Sequence, residues 1–133
     1  MPHFVHIDIA ADDPQRAADF YADVFDWPVT KLEGPTPYWL LGTGQDGAGI
    51  GGGIARRERR WQTMTPTIEV PSAEAYGKKI TACGGTIVVP ATEIAGVGQL
   101  VTCRDPEGNV FAILQPAPGN PFVPPPSGGK PPA

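Results

Sequence analysis

The stretch His3-Phe4-Val5-His6-Ile7-Asp8-Ile9-Ala10-Ala11-Asp12-Asp13-Pro14-Gln15-Arg16-Ala17-Ala18-Asp19-Phe20-Tyr21 decides how this chain is read. Residues 3 to 10 alternate, so Val5, Ile7 and Ile9 share one face of a strand and His6, Asp8 and Ala10 share the other. The period then changes. Asp13 is a good N-cap and Pro14 suits the first helical position. Ala17, Phe20, Tyr21, Val24 and Phe25 recur at helical spacing and predict an apolar stripe facing a core, with Asp19 and Asp23 on the wet side. Asp26 is the expected stop, because Asp tolerates the left-handed conformation that ends many helices.

Further along, residues 28–33 and 37–42 read as two short strands joined by the Gly34-Pro35 turn. A turn from Gly44 to Gly47 leads into Gly49, Gly51, Gly52 and Gly53, closing on Ile54. So many glycines in a strand mark a bulge or a close backbone approach. A second cycle follows. Thr65 to Val70 alternates, with Thr65, Thr67 and Glu69 on one face; Ser72 caps a helix whose inward stripe is Ala73, Tyr76, Ile80 and Cys83, ending at Gly84-Gly85. Gly77 inside that helix costs about 1 kcal/mol relative to Ala and is read as a mark of tight packing on the sheet. Residues 86–89, 99–103 and 109–115 are the remaining strands, with Asp105-Pro106-Glu107-Gly108 as the last hairpin turn.

The order is therefore βαβββ twice, with Ala11-Asp12-Asp13 lying over Val70-Pro71-Ser72 at an offset of 59 residues. The expected fold is α+β: tandem modules, about 3–56 and 63–115, form curved antiparallel sheets around a cleft within one domain spanning residues 1–115. Residues 116–133 carry eight prolines in eighteen positions and read as an extended tail, with Phe122 and Val123 as its natural anchors on the domain or on a partner.

Composition narrows the function. No apolar run approaches the roughly 20 residues of a membrane helix, and the N-terminus runs straight into a strand without a signal-peptide pattern. Cys83 and Cys103 read as reduced thiols, so a cytoplasmic protein is expected. The net charge of −4 argues against a nucleic-acid partner. Arg56, Arg57, Arg59 and Arg60 form one basic cluster, a solvated loop or a grip on an anionic ligand group, with Arg56 the best placed to reach a cleft.

His6, the Asp13-Pro14 helix start, Phe20-Tyr21 and Phe25-Asp26-Trp27 together resemble the opening module of the vicinal-oxygen-chelate (glyoxalase, bleomycin-resistance and extradiol-dioxygenase) superfamily. That module is usually written as a strand, D-P-x-x-A, then F-Y-x-x-x-F-G-W. The second module is similar, with Gly84-Gly85, Gly96-Val97-Gly98 and Asp105-Pro106-Glu107-Gly108-Asn109, so the resemblance covers about residues 4–115. Tyr38-Trp39-Leu40 and Gly51-Gly52-Gly53 look most like a bacterial subgroup related to lactoylglutathione lyase. In metal-using members, the resemblance implies four inward ligands, from the first and last strand of each half. His6 matches one. Thr65 stands at the second, Gly51-Gly52-Gly53 offer no side chain for the third, and Ala112 replaces the fourth. Such sites need imidazole and carboxylate donors, so no cofactor is expected and a divalent metal would find only His6.

What is left is a cleft with candidate acid–base residues His6, Asp8 and Glu69 and candidate ligand-binding residues Tyr38, Trp39, Arg56, Trp61, Thr65 and Thr67. Trp27 and Phe111 are assigned to the core, Cys103 is read as a buried small apolar residue, and His3 as a surface residue. Three readings stay open. The chain binds a small organic molecule without metal, as sequestering members of the superfamily do; or it is a lyase, isomerase or dioxygenase-type enzyme using His6; or it acts through a partner protein gripped by its tail. The resemblance also implies a homodimer.

Overall fold

A computed structural model describes residues 1–43 and 49–118. The expected Gly44–Gly47 turn and the tail anchors Phe122 and Val123 lie outside the described residues. The elements are β1 (His3–Ala11), α1 (Pro14–Phe25), β2 (Val29–Leu32), β3 (Tyr38–Leu41), β4 (Gly51–Arg56), β5 (Met64–Glu69), α2 (Ala73–Ala82), β6 (Thr86–Ile94), β7 (Gly98–Arg104) and β8 (Val110–Pro116). The βαβββ order repeats as the sequence predicts. The chain divides into two compact units, one spanning His6–Thr65 and the other Met1–Val5 with Pro66 onward.

In the first unit the strand order is β2-β3-β4-β1. β2, β3 and β4 are antiparallel neighbours, whereas β4 runs parallel to β1, with His6 opposite Gly51 and Asp8 opposite Gly53. The sheet is thus mixed rather than wholly antiparallel, because the β2–β3 hairpin between α1 and β4 returns β4 along the direction of β1. Helix α1 begins as expected: the Asp13 carboxylate accepts from the Arg16 N–H at 3.1 Å and Pro14 fills the first turn. It ends at Asp26, which takes the left-handed conformation (φ 58°, ψ 28°) and donates its N–H to the Ala22 carbonyl.

The buried side of α1 differs from the expected stripe. Pro14 and Ala18 are the buried residues, with Ala17 and Tyr21 at the margin of a core made of Ala11, Ala18, Trp39, Leu41 and Ile54. Phe20, Val24 and Phe25 are each more than half exposed. The helix packs close to the sheet, so small side chains occupy the contact and large ones flank it. Trp27 packs at the core edge as expected, its ring stacked on Tyr21 and Phe25.

The second unit has the order β5-β8-β7-β6, with β5 parallel to β8 and the other pairs antiparallel. Ser72 caps α2 by accepting from the Ala75 N–H, and Val70, Ala73, Val101, Cys103 and Ile113 form the core with Ile68, Tyr76, Ile80, Ile87 and Phe111 against it. Cys83 is exposed rather than inward, since the helix has ended before it. Gly77 does not mark tight packing: a Cβ there would meet nothing within 4 Å. Strand β6 runs to Ile94, beyond the expected end at residue 89, and carries Pro90 within the shift of register between Val89 and Thr92. As the outer strand of its order, β6 tolerates the missing N–H donor. Among the described residues no helix is long and apolar enough to cross a membrane.

Candidate functional site

Residues directly opposite across a strand pair present their side chains to one face. The register therefore puts His6 and Asp8 on β1, Gly51, Gly53 and Ala55 on β4, and Tyr38 and Leu40 on β3 on a common face, turned away from α1. Tyr38 is two strands from β1, yet its hydroxyl reaches both β1 side chains. It can do so because its ring lies across β4 directly over Gly53; a Cβ on Gly53 would sit inside the phenol. The glycine-dense strand is thus a close approach, one of the two uses its composition suggested.

The three polar groups meet at one point. Tyr38 Oη donates to Asp8 Oδ1 at 2.5 Å, lies 2.7 Å from His6 Nε2, and His6 Nε2 stands 3.2 Å from Asp8 Oδ1. The His6 and Tyr38 rings stack with an interplanar angle of 24°. The His6 side chain is 15% exposed and that of Asp8 40%, so the cluster is sheltered on the histidine side and open at the carboxylate. Burial, and then the charge of Asp8 and its hydrogen bond, push the Tyr38 phenol far above the ordinary tyrosine range. The hydroxyl therefore keeps its proton at any physiological pH and acts as a fixed donor to the carboxylate.

Not all of the predicted site residues join this cluster. Trp39 alternates to the opposite face of β3, is buried in the core and donates its indole N–H to Gln15 Oε1 on α1; it is a packing residue rather than a stacking surface for a ligand. Arg56 also falls on the α1 side, at the end of β4, and its guanidinium donates to the Asp12 carbonyl, so it does not reach the face that carries His6. Arg57 pairs with Asp12 at 3.0 Å and donates to the Gln62 carbonyl. The Gln62 side chain in turn accepts from the N–H groups of Glu58 and Arg59, so the basic cluster is a pinned turn. Trp61 is half-buried in that turn and Thr65 half-buried on β5.

Thr67 and Glu69 belong to the second unit. They share the sheet face with Ala112 and Leu114, the face opposite α2. Thr67 is buried, while Glu69 borders a hollow of about 290 Å³ with Met1, Pro71 and Gln115. Cys103 is fully buried, and burial raises its thiol above the usual range, which fits an inert apolar role. A groove of about 550 Å³ opens on the α1 side of the first unit, lined by Phe20, Tyr21, Arg57 and Met64 among others, and none of His6, Asp8 or Tyr38 borders it.

Among the described residues no three His, Cys, Asp or Glu side chains are grouped to hold a metal ion. His6 and Asp8 face glycines across the strand pair, and both are already bonded to Tyr38. That donor set does not fit the family's four-ligand metal. The tyrosine hydroxyl is what sequence reasoning missed: Tyr38 stood out as an aromatic ring. The available signal was a glycine run, Gly51-Gly52-Gly53, following a strand that starts with a tyrosine.

Residues 5–114 match the model of the glyoxalase-like domain family. The chain is 24% identical over 131 residues to the anthracycline biosynthesis protein DauV of Streptomyces sp., covering 80% of this chain and 44% of that protein. A similar match is to DnrV of Streptomyces peucetius, at 25% identity over 122 residues, covering 80% of this chain and 44% of that protein. The chain spans less than half the length of the curated relatives it matches. Among solved structures, methylmalonyl-CoA epimerase from Mycobacterium tuberculosis superposes with a TM-score of 0.65 at 16% identity, covering 86% of this chain and 88% of the other.

Proposed function

This chain belongs to the glyoxalase-like domain family, and on that premise we propose that it binds a small organic molecule on the open sheet face of its first unit, anchored by His6, Asp8 and Tyr38, without a catalytic metal. One observation supports this reading above the others. The polar groups of that face are tied to one another, His6 and Asp8 through the Tyr38 hydroxyl, beside Gly51, which leaves room above its backbone. A face with few polar anchors suits a small ligand. Sequestration of the ligand is the simplest role. The protein acts as a homodimer in the cytoplasm on this reading, and sedimentation gives the dimer a direct check.

The names of DauV and DnrV connect those relatives with anthracycline biosynthesis, so an anthracycline is the first probe. Binding raises stability by RT ln(1 + [L]/Kd), about 2.7 kcal/mol at a hundredfold excess over Kd. We expect saturable heat in a titration, a matching rise in Tm, and binding at least about ten-fold weaker in His6→Ala. A panel of aromatic compounds in which none shifts Tm overturns the reading. So does a stoichiometric transition metal in protein purified without chelator.

A second reading is favoured by the same hydrogen bonds. Tyr38 links His6 to Asp8, and a histidine so placed can move a proton in a lyase or isomerase reaction. Incorporation of solvent deuterium into a substrate, abolished in His6→Ala, is its expected signature.

A further inference from the structure

We infer that the ligand of this face is a planar aromatic compound that donates a hydroxyl proton to the protein, because His6 and Asp8 turn only acceptors toward it. The inference rests on the small-molecule reading above and names the chemistry of its ligand.

The protons of the cluster can be placed one by one. Asp8 Oδ1 accepts, so the 2.5 Å contact with Tyr38 Oη uses the single phenol proton. His6 Nε2, 2.7 Å from the same phenol oxygen and 3.2 Å from the same carboxylate oxygen, then faces two lone pairs and must bring its own hydrogen. The opposite assignment would set a phenol lone pair against a carboxylate at 2.5 Å, a repulsive contact. The geometry therefore requires the hydrogen on Nε2, and of the two neutral tautomers it selects the one whose Nδ1 carries a bare lone pair.

Nδ1 borders the space above Gly51. A Cβ built on Gly51 would meet His6 Nδ1 at 3.8 Å and nothing else within 4 Å among the described residues. The other carboxylate oxygen of Asp8 has no hydrogen-bond partner among the described residues, and its side chain is 40% exposed. Both outward atoms accept and neither donates. A ligand carboxylate would meet two lone pairs and a negative charge, whereas an aromatic hydroxyl supplies the missing proton. The bare backbone at Gly51 next to the His6 ring gives such a ring system a flat floor. Tyr38 acts here as a positioning residue: it fixes the tautomer from behind.

Two measurements test this. Long-range proton–nitrogen NMR on the ¹⁵N-labelled protein reads the tautomer directly, because His3 and His6 are its only histidines and His3→Gln assigns them. At neutral pH we expect Nε2–H with a bare Nδ1 for His6, and a loss of that preference in Tyr38→Phe. An Nδ1–H tautomer or an imidazolium in the wild type overturns the inference. Calorimetry then compares alizarin, its dimethyl ether and an anthraquinone carboxylate. Alizarin should bind, the ether at least about ten-fold more weakly because the acceptors stay unpaired, and the carboxylate more weakly still. Equal binding of the ether, or preference for the carboxylate, rejects the donor chemistry while leaving small-molecule binding in place. Failure of all three rejects the inference, and failure of the anthracycline as well removes the reading beneath it.

Discussion

Gly53 and Tyr38 have to be considered as a pair. Any side chain at 53 would occupy the volume of the phenol, so the ring position that brings Oη to His6 and Asp8 exists only with glycine beneath it. Gly53→Ala must therefore push the ring off the strand, and overpacking of this kind costs about 1–3 kcal/mol. Urea unfolding should show that loss, and in a Tyr38→Ala background the same substitution should cost much less, a coupling expected for residues in contact. Equal costs in both backgrounds would mean that the ring is not held there. The sequence makes half of this site legible. Alternation on β1 is enough to put His6 and Asp8 on one face, and that face is the one observed. The third member depends on which strands become neighbours, β3 beside β4 beside β1, and no local pattern encodes that order. Hence Tyr38 is legible as an aromatic but not as a hydroxyl, and Trp39, a candidate for the cleft, lies on the core side of β3.

At the scale of elements, the caps were readable because each rests on one residue: Asp13 and Ser72 at the starts, Asp26 at the left-handed stop. The buried side of α1 was not, since hydropathy ranks Phe20, Val24 and Phe25 above Ala18, while the close approach to the sheet selects for size. Ala18 is 1% exposed and Val24 53%. Ala18→Leu should thus cost about 1–3 kcal/mol, whereas Val24→Ala should stay within about 0.5 kcal/mol of wild type, both from chemical unfolding. The β7–β8 turn offers a pH-dependent counterpart. Asp105 Oδ1 accepts from the N–H groups of Glu107 and Asn109, and Oδ2 accepts from the Asn109 side-chain amide. These bonds hold the Asp105 carboxyl below the usual carboxylate range. A depressed folded-state pKa adds stability that is full above the unfolded value, about 3.9, and is lost as pH falls through the folded value. Asp105→Ala should therefore lower stability at neutral pH and remove part of the acid dependence between about pH 5 and 2. A pH profile parallel to wild type throughout would show that the turn does not depend on the ionised form.

For the molecule as a whole, the repeat at an offset of 59 residues carried the fold, because a duplicated strand–helix junction survives even where the individual strands are short. The two resulting units hold different natural probes. Trp27, Trp39 and Trp61 all lie within His6–Thr65, while the buried Cys103 lies in the other unit and Cys83 is exposed. In the native protein a thiol reagent should label Cys83 promptly and leave Cys103 untouched, since a fully buried thiol with a raised pKa reacts only when its surroundings open. Cys103 labelling then reports the opening of the second unit, and tryptophan fluorescence reports the first. Strand β1 belongs to both: His3–Val5 is counted with the second unit and His6–Ala11 with the first. The strand is continuous along the chain through that boundary, so the two probes are expected to share one midpoint in urea. If the tryptophan transition is complete before Cys103 becomes reactive, the units unfold separately. The His6–Asp8–Tyr38 cluster, wholly within the first unit, would then be lost at the lower midpoint while the second unit stays folded.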